Sequence, residues 1–258
     1  MRIKLKTAEE IEILREGGKR LAFILHETAK QVAPGVKVKD LNTFAHKLMI
    51  QNGDSPAFLN YQPWGATRPY PASLCVSIND EVVHGIPNER DRILKDGDIV
   101  SLDAGLKHGG LFTDMAITVP VGEIDLVAKR LLQTTERALD IGIEAAQSGS
   151  RVGEIGSAIE KFVKGKHFGI VETLSGHGVG HQVHEDPYVP NFKMSAQGPI
   201  MRPGLVIAIE PMLNEGGPEV VLDRDGYTYK TQDGSRSAHF EKTIVITEGG
   251  PEILTSLD

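Results

Sequence analysis

A glycine-led apolar strand that ends on a carboxylate occurs twice in this chain and constrains the fold more than any other feature. Gly97 leads Ile99, Val100 and Leu102 into Asp103, and Gly204 leads Leu205, Val206, Ile207 and Ile209 into Glu210. In both copies the acid stands six residues after the glycine. An acid at the end of such a run is buried with its strand, and a buried ionised acid is costly unless a partner charge neutralises it. Neither run carries a Lys or Arg between its glycine and its acid, so a bound cation is the leading partner.

With 258 residues, 40% of them hydrophobic, the chain can bury a large core as one domain or as two fused halves. Its 28 basic and 35 acidic residues give a net charge of −7, with no Lys/Arg cluster of the kind a phosphate backbone requires, which argues against a nucleic-acid substrate. A single cysteine, Cys75, cannot form an intramolecular disulfide and fits a reducing compartment. The run from Met1 to Lys6 lacks the apolar core of a signal peptide, and no apolar run is long enough to span a bilayer. A cytoplasmic protein without a membrane partner is expected.

Thr7 and Glu10 have the spacing of a capping box, and Ile11, Leu14, Leu21, Ala22 and Leu25 follow at helical period, so a long helix opens the chain. A second helix carries Leu41, Phe44, Ala45 and Leu48 and stops near Asn52 and Gly53. Strands are expected around residues 74–78, 99–103 and 111–118. The second half repeats this order, with helices over about residues 124–146 and 152–163 and then strands. Short matches recur in the same order in both halves: residues 35–41 with 149–155, residues 83–87 with 183–187, and the two acid-terminated strands. A duplicated unit explains all three. The expected architecture is α+β, a single domain over 1–258 built from halves of about 1–121 and 122–258 that enclose a shared site.

Asp103 and Asp114 flank a glycine-containing turn at residues 107–110. If His108 and Gly109 form a two-residue loop, the two aspartates face each other directly, which is unfavourable unless something positive lies between them. Residues 176–184 place His177, His181 and His184 among glycines, which allow close backbone approach to a site. Residues 238–246 read as one strand with Glu241 on the face of Thr243 and Val245. Asp103, Asp114, His177, Glu210 and Glu241 form an oxygen-rich set that exceeds the needs of one tetrahedral zinc; two ions sharing bridging carboxylates would use all five.

The order Asp, Asp, His, Glu, Glu, with its surrounding segments at residues 77–79, 83–87, 176–180 and 209–212, resembles the type I methionine aminopeptidases over essentially the whole chain. The resemblance implies the pita-bread fold, with two pseudo-twofold halves around a central antiparallel sheet. It also implies removal of the initiator methionine from nascent polypeptides when the next residue is small. Two divalent ions, of cobalt, manganese, iron(II) or zinc, would be held by Asp103, Asp114, His177, Glu210 and Glu241, with Asp114 and Glu241 bridging. A water bridging the ions would attack the scissile carbonyl, with Glu210 as proton shuttle, His184 hydrogen-bonding the carbonyl oxygen and His84 contacting the scissile amide. Cys75, Tyr70 and Tyr227 would line the methionine pocket with the two histidines. The resemblance further implies a monomer, and contact with the ribosome follows only from the expected substrate.

The 60–71 loop, with Tyr61, Trp64 and Tyr70, is longer than is usual in the family and is expected to line the methionine pocket. Val183 stands where an aromatic residue often precedes the second histidine, His239 where glutamine is frequent, and Lys242 where histidine is frequent; no role is assigned to them. His181 is read as peripheral, and His26, His46, His108 and His167 as helix, turn or surface residues. The alternatives are a proline-specific aminopeptidase or dipeptidase of the same fold and a catalytically inactive peptide-binding homologue. Proline-specific relatives carry a sizeable amino-terminal domain, for which Asp103 comes too early, and the inactive reading conflicts with the complete ligand set.

Overall fold

The computed structural model describes residues 3–257; Met1, Arg2 and Asp258 lie outside them, the first two belonging to the amino-terminal run read above. The capping box forms as expected. Glu10 N donates to the Thr7 hydroxyl at 3.3 Å and Thr7 N to the Glu10 carboxylate at 2.9 Å, opening helix α1 (Ala8–Ala29). Helix α2 (Val38–Gln51) stops ahead of Gly53, whose φ of 78° suits a residue without a Cβ. Strands β1 (Ser55–Pro56), β2 (Cys75–Ile78) and β3 (Glu81–Val83) lead into the long hairpin of β4 (Ile99–His108) and β5 (Leu111–Pro120). Asp125 then caps α3 (Leu126–Ala145) by accepting from Ala128 N at 2.8 Å, and α4 (Gly153–Val163) follows. The remaining strands are β6 (Gly169–Ile170), β7 (Gly176–Gly178), β8 (Glu185–Val189), β9 (Val206–Ile209), β10 (Met212–Asn214), β11 (Val220–Leu222), β12 (Tyr229–Thr231), β13 (Ser237–His239), β14 (Glu241–Thr247) and β15 (Gly250–Ile253).

An antiparallel sheet runs in the order β1-β4-β5-β14-β9-β7-β8, with β2 added on β4 and β15 on β14. Strand residues alternate between its faces. One face sends Leu102, Ala104, Leu106, Met115, Ile207, Ile209, Ile244 and Ile246 into a buried core shared with Leu21 and Leu25 of α1 and Leu139 and Ile143 of α3. The other face carries the acids in two rows. Asp103 pairs with Ala116, and Ala116 with Glu241. Two residues along, Gly105 pairs with Asp114, while Thr243 pairs with Ala208 and Ala208 with His177.

Two expectations need correction. The hairpin turn is Gly109–Gly110, closed by the His108–Leu111 pair, rather than His108–Gly109. Both glycines have positive φ, 55° and 90°, which a tight primed turn demands and which a histidine takes at a cost. Asp103 and Asp114 are therefore diagonal neighbours on one face and not directly opposed. The run 238–246 is likewise not one strand: β13 pairs with β10 in a separate three-stranded sheet, and β14 begins at Glu241 in the main one. Phe240 N bonds to Pro211 O at 3.4 Å at this crossing.

Candidate active site

All ten residues given site roles from the sequence line one cleft: Tyr70, Cys75, His84, Asp103, Asp114, His177, His184, Glu210, Tyr227 and Glu241. The hairpin supplies Asp103 and Asp114 and β14 supplies Glu241, all nearly inaccessible to solvent. Glu210 follows the last residue of β9; extending the Lys242–Ile209 register by one sets it opposite Glu241. Asp114, His177 and Glu241 each offer a donor atom within 4.8 Å of the others.

Glycines bring His177 into this group. A Cβ on Gly176 would lie 2.3 Å from Ala208 O, and one on Gly178 2.2 Å from Asp186 O, so a larger residue would push β7 off its neighbours. His177 Nδ1 lies 2.8 Å from Gly178 O. A carbonyl only accepts, so the neutral ring carries its proton on Nδ1 and presents the Nε2 lone pair, 3.5 Å from Glu210 Oε1. Sequence spacing gave no sign of this tautomer.

Burial dominates the electrostatics. It raises the Asp103 carboxyl to about 7. Burial, and then the charge of neighbouring carboxylates, holds Asp114, Glu210 and Glu241 well above the usual carboxylate range. Burial also lowers His84 and His177 to about 4, and His184 and His239 to about 3, so the imidazoles are neutral lone-pair donors. Asp103 Oδ1 and Glu241 Oε1 are buried without a hydrogen-bond partner. Acidic oxygens orphaned in one cluster, beside an imidazole aimed at them, fit a hard or borderline divalent cation, which favours the ionised carboxylates that burial alone opposes.

The opposite wall is apolar. Cys75 pairs with Asp103 across β2 and β4, and its buried thiol is pushed well above its ordinary value, first by burial and then by the Asp103 charge. Tyr70 donates to Gly85 O at 2.9 Å and meets Tyr227 edge-on, ring centres 5.1 Å apart. Val183 packs with them. His84 directly follows β3 with a φ of 60°, a left-handed conformation uncommon outside glycine, which turns the chain at the cleft. The Tyr61 hydroxyl lies 2.9 Å from His184 Nδ1, and the His184 ring packs against His177 at 4.4 Å.

Trp64 does not line the cleft; it is fully exposed within the 60–71 loop. Tyr61 and Pro63 of that loop do line it, as expected, and so does Phe58, unanticipated from the sequence; the one hint for Phe58 is the apolar pair it makes with Ala57 just ahead of the loop. His239 also faces in, whereas Lys242 alternates to the far side of β14, its ammonium donating to Thr255 O at 2.6 Å. His181 bonds to Glu10 at 2.8 Å, outside the cleft lining, and His108 to Asp54 at 2.7 Å.

The model of metallopeptidase family M24 matches residues 12–248. The methionine aminopeptidase of Aquifex aeolicus is 46% identical over the full length of both chains. This chain belongs to the methionine aminopeptidases of metallopeptidase family M24. The crystal structure of a methionine aminopeptidase from Thermotoga maritima superposes with a TM-score of 0.92 at 41% identity, covering 99% of this chain and 100% of that one. Family membership makes the chain a hydrolase, and its α+β architecture is the pita-bread fold of these metallopeptidases. A prolidase from Pyrococcus horikoshii shares that fold at 22% identity, with a TM-score of 0.74 and 64% of its own length covered. The buried Asp/His/Glu cluster of a metallopeptidase is suited to divalent metal, and among the described residues no helix is long and apolar enough to cross a membrane.

Proposed function

We propose that this cleft removes the initiator methionine from new polypeptides whose second residue is small. The observation that carries the reading is the meeting of the Asp114, His177 and Glu241 donors, within 4.8 Å, beside a pocket walled by Phe58, Tyr70 and Tyr227. The donor set suits two divalent ions of manganese, iron(II), cobalt or zinc, which Asp103, Asp114, His177, Glu210 and Glu241 would hold between them. When bound, the ions acidify a water molecule and polarise the scissile carbonyl.

The chain's own groups do the rest. Glu210 takes the proton of the attacking water and passes it to the leaving amine. With the Tyr61 hydroxyl, 2.9 Å from His184 Nδ1, acting as donor, the ring proton would sit on Nε2 to meet the carbonyl oxygen as it gains charge. His84 contacts the scissile amide, and Cys75, Tyr70 and Tyr227 enclose the methionine side chain. The thiol of Cys75 stays protonated and serves as a small apolar surface.

We read the halves 1–121 and 122–258 as a duplicated unit, supported by the repeated helix, helix, strand order of the elements. A cytoplasmic monomer that meets its substrate near the ribosome agrees with this function and with the lone cysteine. Hydrolysis of Met-Ala-Ser against X-Pro peptides, with each metal in turn, tests the proposal. Release of methionine from Met-Ala-Ser is expected. Preference for X-Pro overturns it in favour of a proline-specific peptidase, and no turnover with any metal favours an inactive peptide-binding homologue.

A further inference from the structure

We propose that His239 is an additional protein ligand of this metal centre, its Nε2 binding an ion together with Glu210 or Glu241. The inference rests on the metal-dependent reading above and extends the ligand set to a residue outside it. His239 is 2% exposed and lines the cleft, yet neither of its ring nitrogens has a hydrogen-bond partner. A buried imidazole without partners forfeits the solvation of two polar atoms, so it calls for an interaction that hydrogen bonds within the protein do not supply.

The neighbours of Nε2 point to what that is. Glu210 Oε2 lies 3.7 Å away and Glu241 Oε2 3.9 Å away. Both separations are too long for a hydrogen bond, which needs roughly 3.2 Å or less. Both suit donors of one ion: with metal–ligand bonds of roughly 2.0–2.2 Å, two atoms bound to the same ion stand up to about 4.2 Å apart. The backbone that carries the ring is held in place. His239 N donates to the Thr118 hydroxyl at 2.9 Å, that hydroxyl donates to His239 O at 2.7 Å, and Met212 pairs with His239 across β10 and β13. A clamped backbone two residues from Glu241 fixes where the Cβ of His239 stands before any ion arrives, part of the preorganisation that a ligand needs.

A second nitrogen donor beside His177 changes the chemistry of the set. Imidazole suits iron, cobalt and zinc, whereas manganese and magnesium favour oxygen donors, so His239 shifts the centre toward the former group. Glutamine at this position would offer only an amide oxygen to a metal.

The test compares the full-length protein with His239→Gln and His239→Ala after chelator treatment. Cobalt(II) and manganese(II) are titrated by calorimetry and cobalt(II) also by visible absorption, with circular dichroism and thermal melting as folding controls. Both variants are expected to lose at least ~10-fold in cobalt(II) affinity at one site, with a changed absorption band and a smaller loss for manganese(II). Cobalt(II) affinity and spectrum identical to the parent overturn the inference. If neither variant folds, an anomalous difference map of the parent with cobalt(II) decides: an ion bonded to His239 Nε2 supports the inference, and ions beyond bonding distance from it overturn it. A parent protein that binds cobalt(II) and releases methionine while His239 stays uncoordinated removes only this inference; one that binds no cobalt(II) removes the metal-dependent reading as well.

Discussion

Asp114 lies diagonally across the β4–β5 hairpin from Asp103, with Gly105 directly opposite it. The two carboxyls share a face, and the Asp103 charge, after burial, raises Asp114. Gly105 is small because the space beside it is taken: a Cβ there would stand 2.8 Å from both Ala57 Cβ and Phe58 Cε1.

Replacing Asp114 by Asn removes one of several mutually repelling buried acids and a charged metal donor together. Chelator-treated Asp114→Asn is expected to melt no lower than the parent, since the repulsion is relieved. Its manganese affinity should fall at least ~10-fold, with hydrolysis of Met-Ala-Ser falling alongside. Scanning calorimetry and metal titration check the two halves separately, and unchanged affinity contradicts the placement of Asp114 at the metal.

Gly105→Ala presses a methyl group into Ala57 and Phe58. A loss of about 1–3 kcal/mol in unfolding free energy is expected, as for other overpacked interiors. Because Phe58 lines the pocket, KM for Met-Ala-Ser should rise as well. Denaturant titration and steady-state kinetics are the measurements; a variant as stable as the parent shows that the wall yields.

Tyr61→Phe deletes the hydroxyl that holds His184 Nδ1 at 2.9 Å. The fall in kcat should be smaller than the ~100-fold expected when an oxyanion donor is removed outright, and His184→Ala should reach at least that. Equal rates for Tyr61→Phe and the parent would show that packing alone orients the ring.

Stability without metal should fall as pH rises above 6.5. Between about pH 4 and 6.5 two sets of groups oppose each other: His84, His177, His184 and His239, lowered to about 3 to 4 in the fold, add stability as pH rises, while the raised carboxyls subtract it. Above 6.5 the unfolded imidazoles lose their remaining charge, and the histidine contribution levels off by about pH 7.5. Asp103 then dominates the change: its contribution is complete below its unfolded value near 4 and is lost as pH rises through about 7, and Asp114, Glu210 and Glu241 extend the loss upward. Melting of chelated protein at pH 6.5, 7.5 and 8.5 should show a decline that manganese abolishes. A flat or rising profile without metal refutes the raised carboxyls.

Much of the site was legible before any coordinates. A carboxylate ending an apolar run of sequence is anomalous on its own, so Asp103 and Glu210 point to a cation, and glycines around His177 announce close packing. Three features were not. The turn moved by one residue because Gly109 and Gly110 both take positive φ, which shifted the partner of each aspartate. The chain changed sheets at Phe240, and Lys242 alternated away from the site while His239 entered it. Trp64, aromatic and beside pocket residues, points to solvent.

The amino-acid sequence by itself determined the long helices, the cap that opens the first of them, and which residue types are available to hold a metal, because caps, periodicity and buried charge are short-range matters. Only the tertiary structure decided the two rows of the sheet. β14 lies between β5 and β9, and β9 between β14 and β7, so Asp103 and Glu241 share one row and Asp114 and His177 the next. Pairing between segments so distant along the chain depends on how the whole core packs, and a shift of one residue in any strand would turn its site residue to the opposite face.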